Sequence, residues 1–170
     1  MKTNRVSLKL KTLLISTVLA SCIDGTRKNS PELFVHPDLQ IDYTKKPKSK
    51  GVGYVKSVEL SDTLKVNLVE KGEFLFEMKC AACHKLTDQR LVGPGWAGIT
   101  NSRRPEWIMN MITNTEQMLE RDEEARKQLE DCLTRMPSMQ ISLEEARSIL
   151  EFMRQNDMSQ VGHKDDALQN

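Results

Sequence analysis

The run Cys80-Ala81-Ala82-Cys83-His84 constrains this chain more than any other feature. Two thiols two residues apart, with an imidazole beside the second, are what covalent attachment of haem requires. Each thiol adds to one haem vinyl group, and a two-residue gap at a helix end matches the spacing of those vinyls. The adjacent His84 can then present a ring nitrogen to the iron. Two other chemistries use paired cysteines. A thioredoxin-type redox pair belongs in a βαβ pattern, and none is visible around Cys80. A zinc site needs a second ligand pair, and Cys132, His36 and His163 are too scattered along the chain to supply one.

A large apolar cofactor would also solve a packing problem. Only 5% of the 170 residues are aromatic, so a small domain built from them has a thin core of its own. Its centre would be completed by the haem.

The N-terminus reads as an export signal. Lys2, Arg5, Lys9 and Lys11 form a basic stretch, and Leu13 to Ala20 an apolar one too short to span a bilayer. The sequence Leu19-Ala20-Ser21-Cys22 resembles a bacterial lipobox. That resemblance implies cleavage before Cys22 and attachment of diacylglycerol to its thiol, and several acyl chains on one residue give stable anchoring. Removing residues 1–21 leaves 21 basic and 24 acidic residues, a net charge of −3, which argues against a nucleic-acid partner.

Pro31, Pro37, Pro47 and a polar, basic run over 44–50 interrupt the next segment, which reads as a tether with at most a short extended stretch at Val52 to Leu60. A flexible coil of about 40 residues spans on the order of 35 Å. The expected organisation is a signal peptide over 1–21, a lipid anchor and flexible tether over 22–63, a folded domain over 64–156, and a disordered polar tail over 157–170.

Within the domain the periodicity predicts helices over 66–80, 104–112, 115–134 and 142–156. Leu119, Ala125, Leu129 and Cys132 form the apolar stripe of the third, where Cys132 reads as a small core residue or a reactive thiol. In the last, Ser142 and Glu145 have capping-box spacing, and Leu143, Ala146, Ile149, Leu150 and Met153 follow at helical intervals. Residues 86–100 are a Gly- and Pro-rich loop. A low-spin haem needs a sixth ligand. His36 falls in the tether and His163 in the tail, whereas Met136 and Met139 lie in a loop before the final helix. A thioether there would favour ferrous iron.

Several features in order resemble the class I cytochrome c family over about ninety residues. Gly72-x-x-x-Phe76 precedes the Cys-x-x-Cys-His run. Gly93-Pro94-Gly95-Trp96-Ala97-Gly98 is similar to the family's Gly-Pro loop. Residues 103–112, with Trp107, resemble the helix beside the haem. Met136-Pro137, Ser142-x-Glu144-Glu145-Ala146 and Leu150-Glu151-Phe152 follow. The resemblance implies an all-α fold around one covalent haem c, with Cys80 and Cys83 as thioethers and His84 as proximal ligand. It implies that the Pro94 carbonyl accepts the His84 ring N–H, that Gly72 lets the first and last helices touch, and that Met136 is the distal ligand, with Met139 the alternative. Met136 stands six residues before Ser142, as the family's ligand does before its cap; Met139 stands three before it.

The whole chain resembles lipid-anchored bacterial monohaem cytochromes. The expected role is single-electron transfer in a respiratory chain, between a redox protein donor and an acceptor, with no reaction catalysed; the resemblance extends to proteins that feed a terminal reductase such as nitrous oxide reductase. The expected location is the periplasmic side of the cell envelope, with Ile23 after Cys22 favouring the outer membrane. Two alternatives stand beside it: a fixed subunit of a larger oxidase or reductase, and a haem enzyme or gas sensor with an open sixth position.

Overall fold

The computed structural model describes residues 48–169. The expected signal peptide, Cys22, His36 and the tether up to residue 47 lie outside the described residues. The rest forms helices α1 (Val66–Lys79), α2 (Ile99–Ser102), α3 (Pro105–Thr113), α4 (Thr115–Arg121), α5 (Glu123–Cys132) and α6 (Leu143–Gln160), then a 3₁₀ turn at Asp166–Leu168. No strand occurs among the described residues, so the architecture is all-helical. None of the described helices is long and apolar enough to cross a membrane.

The frame is the crossing of α1 and α6. At Gly72 the backbones come so close that a Cβ would sit 2.1 Å from the Ser148 carbonyl oxygen and 2.8 Å from Phe152 Cβ. Only a residue without a side chain permits that approach. One turn on, Phe76 stacks at a tilt on Phe152 (5.7 Å between centroids) and on Trp96 (4.7 Å). Ala146, Ile149, Leu150, Phe152 and Met153 bury the inner face of α6. That helix starts where its capping box predicts: Ser142 Oγ accepts from Glu145 N at 3.2 Å, and Ser142 N donates to Glu145 Oε2 at 2.8 Å. Pro105 opens α3 at its first turn, where its missing N–H costs nothing.

The helix expected over 115–134 is two helices. Asp122 is extended (φ −89°, ψ 124°) and caps α5 by accepting from Ala125 N at 3.0 Å. Its carboxylate also accepts from Trp107 Nε1 at 2.9 Å and Ser49 Oγ at 2.7 Å. Burial pushes this carboxyl up, yet these donors outweigh it and hold the group below the usual carboxylate range. A residue with two donors outside the helix and a cap to make gains more by leaving the helix than by continuing it.

The domain also extends further than 64–156 in both directions. Residues 48–63 are not a free tether here: Val55 is buried, and its backbone pairs with the side chain of the fully buried Asn110, Val55 N to Oδ1 at 3.1 Å and Nδ2 to Val55 O at 2.9 Å. Asn110 also donates to Lys50 O, and Asn114 to Val52 O. The tail is likewise ordered up to residue 169. α6 runs to Gln160, and Asp165 accepts from Arg154 Nε and Nη2 at 2.8–3.0 Å. Arg154 is almost wholly buried and also pairs with the buried Glu151 at 2.9 Å. Both flanks are fastened by side-chain-to-backbone bonds and ion pairs, and Val52, Val55, Val58, Leu60 and Ala167 add apolar contacts.

Candidate functional site

α1 ends at Lys79, and the chain closes one further tight turn. Cys83 N and His84 N both donate to Cys80 O, at 3.0 and 2.9 Å. This turn brings Cys80, Cys83 and His84 together on the wall of a cavity of about 500 Å³. Trp96, Trp107, Ile108, Leu119, Ile149 and Met153 give the cavity its apolar lining, and Met136 and Met139 line it too.

The His84 ring is held on three sides. Its Nδ1–H donates to the Pro94 carbonyl at 2.8 Å; a carbonyl can only accept, so the proton is on Nδ1 and Nε2 keeps its lone pair. Trp96 stands 5.7 Å away, centroid to centroid. Gly93 lies against the ring, where a Cβ would be 2.4 Å from Cε1. Burial lowers the His84 pKa, against the opposing effect of the Pro94 bond, and keeps the ring in the neutral form that binds metal. The loop that brings Pro94 there depends on Gly95, whose Cβ would meet Thr87 O at 2.1 Å. It is tied back by Gly93 N to Cys83 O and Trp96 N to Lys85 O, both at 2.9 Å.

Burial pushes the Cys80 thiol up to about 11, against the nearby Lys79 charge. A redox-active cysteine needs the reverse, a stabilised thiolate. Among the described residues no three His, Cys, Asp or Glu side chains gather as a metal-ion site. The donor set fits haem instead: two thiols in one turn, an imidazole of fixed tautomer, thioether sulfurs on the same cavity, and apolar walls.

The other expected candidates fall differently. His163 is exposed and pairs with Asp166 at 3.3 Å, away from the cavity. Cys132 is half-buried and lines the cavity beside Gln128 and Leu129, so α5 forms part of its wall. The two methionines also differ: Met139 packs against the hydrophobic core, whereas Met136 lines the cavity without joining that core. Sequence reasoning missed the contact of Gly93 with the His84 ring and the bond from Trp107 to Asp122, because neither leaves a spacing pattern.

Comparison with known proteins agrees with this donor set. The cytochrome c family model matches residues 69–157. The structure is similar to a cytochrome c from Rhodothermus marinus, with 38% identity and a TM-score of 0.62 over 64% of this chain and 92% of that one. An engineered cytochrome c from the same organism has 36% identity and a TM-score of 0.59, over 62% and 90% of the two chains. That engineered protein bound to a carbene intermediate gives 36% and 0.57 over the same shares. No curated protein sequence matches significantly.

Proposed function

The chain belongs to the cytochrome c family and carries covalent haem c for electron transfer, and from that premise we propose that it is a membrane-tethered monohaem carrier in which His84 and Met136 would ligate the iron. Haem, once held, supplies a one-electron iron couple. The chain's own residues do the rest. Cys80 and Cys83 fasten the group through thioethers. Pro94 fixes the His84 tautomer and strengthens it as a donor. Met136 would supply a soft thioether sulfur to the iron beside His84, leaving no place for a substrate. The observation that carries this reading is that one apolar cavity is lined by both the Pro94-oriented His84 and a methionine outside the core packing.

Val92 lines the cavity and, like its neighbour Leu91, is substantially exposed. With the 133–137 segment these residues form the docking patch for donor and acceptor in brief encounters of small area. Cleavage before Cys22 and lipidation of its thiol anchor the chain at the periplasmic side of the cell envelope, in the outer membrane. The tether raises the local concentration of the carrier near its partners. Its place is in a respiratory chain, delivering electrons to a terminal reductase of which the nitrous oxide enzyme is one candidate.

The test is a redox titration of the purified holoprotein with carbon monoxide as probe. A carrier shows one reversible one-electron wave, stays low-spin in both states and does not bind the gas. Ready binding of carbon monoxide by the ferrous protein would contradict the closed sixth position. Cys22→Ser should move the protein from membrane to soluble fractions; continued anchoring would refute lipidation.

A further inference from the structure

The turn bearing His84 and the loop bearing Pro94 are separate stretches of chain, and the bond between them depends on how both arms are held. The arms meet at the last turns of α6. Asn156, nearly fully buried, donates from Nδ2 to Leu86 O at 2.9 Å, two residues beyond His84. Asp157, fully buried, grips the other arm. Its Oδ1 accepts from Gly98 N at 2.8 Å, and its Oδ2 accepts from Thr100 N at 2.8 Å and Thr100 Oγ1 at 2.6 Å. Two successive residues of one helix therefore buckle both ends of the 86–98 loop. The same helix crosses α1 at Gly72, and α1 ends at the Cys80–His84 turn.

We propose that Asn156 and Asp157 are positioning residues that set the donor strength of His84 by holding the Pro94 carbonyl at its hydrogen-bond distance. The bonds inside the loop tie its arms to each other: Trp96 N to Lys85 O, Gly93 N to Cys83 O. They do not fix the arms against the helical frame. Asn156 and Asp157 do that, with short bonds made out of water's reach, where a hydrogen bond is strong and its loss leaves a buried group unpaired. Releasing either arm lets the loop shift relative to His84 and lengthens Nδ1–H···O. A weaker bond makes the imidazole a poorer donor, which favours the ferrous state and raises the potential. The proposal rests on His84 being an axial ligand.

The experiment compares holoprotein with Asn156→Ala, Asp157→Asn and, as a control for general loosening, Asn110→Ala. Asp157→Asn keeps the shape of the side chain while replacing one acceptor by a donor, so it remains informative if Asn156→Ala folds poorly. The first readout is the ¹H spectrum of the ferric protein. His84 ring protons must be strongly shifted by the iron in the unmutated protein; if they are not, His84 is not a ligand and the proposal falls with that assignment. With the shift present, the two α6 variants should exchange the His84 Nδ1 proton about three- to tenfold faster, as expected for weakening one hydrogen bond. Their potentials should move upward, while Asn110→Ala loses stability with the potential and the exchange rate unmoved. Unchanged exchange and potential in both α6 variants, or the same upward shift in Asn110→Ala, would overturn the proposal.

Discussion

The segment carrying His84 and the segment carrying Met136 are held in opposite ways. From His84 to Gly98 the chain is tied by backbone bonds to Cys83, Lys85 and Thr87, by close approaches that only glycine allows at residues 93 and 95, and by two side chains of α6. From 134 to 141, among the described residues, no backbone-to-backbone bond joins the chain to the rest of the domain. Leu133 and Gln140 turn it with left-handed φ values of 57° and 52°, unusual for residues with a Cβ. Lys79 Nζ reaches Met139 O at 3.4 Å, and Met139 packs on the core. The difference teaches a division of labour. The His84 segment is set by backbone geometry and tolerates little change. The Met136 segment is held by few bonds, so its course along the cavity depends on how Met139 packs on the core.

Gly93→Ala attacks the tightly held side and should have the largest effect. Its Cβ falls within 2.4 Å of the His84 ring, so ring or loop must shift. The expected cost is about 3 kcal/mol in denaturant unfolding, the upper range for overpacking, with loss of the native haem spectrum. Retention of both would mean the loop gives way more easily than its bonds imply.

Asp122→Ala strikes the other side through α5, which supplies Gln128, Leu129 and Cys132 to the cavity wall. Loss of the cap and of the Trp107 and Ser49 partners should cost about 2 kcal/mol. Amide exchange should speed up in 123–133 and stay slow in 84–98. Equal acceleration in both would erase the contrast between them.

Met139→Ala should cost about 1 kcal/mol in denaturant unfolding, less than a fully buried methionine because the side chain is only partly buried, and leave the haem spectrum unchanged.

Asp165→Asn bears on the α6 frame and should give the smallest effect. Although burial pushes its carboxyl up, Arg154 and Lys164 draw it below its ordinary value. A depressed folded pKa contributes stability above the unfolded value, near pH 4, and that contribution fades as pH falls through the folded value. The variant should therefore trail the parent by about 1 kcal/mol at pH 7, with the gap closing toward pH 3. A gap independent of pH would show that the ion pair is not its source.

How much of this was legible in the sequence follows the same division. The Cys80–His84 run, Gly72, the capping box of α6 and the Gly-Pro loop were readable because each is a local chemical requirement written in adjacent or evenly spaced residues. The ordered flanks at 48–63 and 157–169 were not. They are bound by Asn110, Asn114, Arg154 and Asp157, polar residues more than forty positions from some of their partners, and polar segments read as solvent-facing until those partners are known. The break at Asp122 was hidden for a similar reason: Trp107 and Ser49, which draw the residue off the helix, lie on other segments, 15 and 73 residues away. The choice between Met136 and Met139 rested on spacing from Ser142; both methionines line the cavity, and Met139 also packs on the core.

The most direct test of the account is the ferric absorption spectrum of the holoprotein beside Met136→Ala and Met139→Ala. The weak long-wavelength band of methionine-ligated haem should be present in the parent, absent in Met136→Ala and retained in Met139→Ala. Its survival in Met136→Ala, or its loss in Met139→Ala alone, would contradict the assignment of Met136 as the sulfur that closes the sixth position.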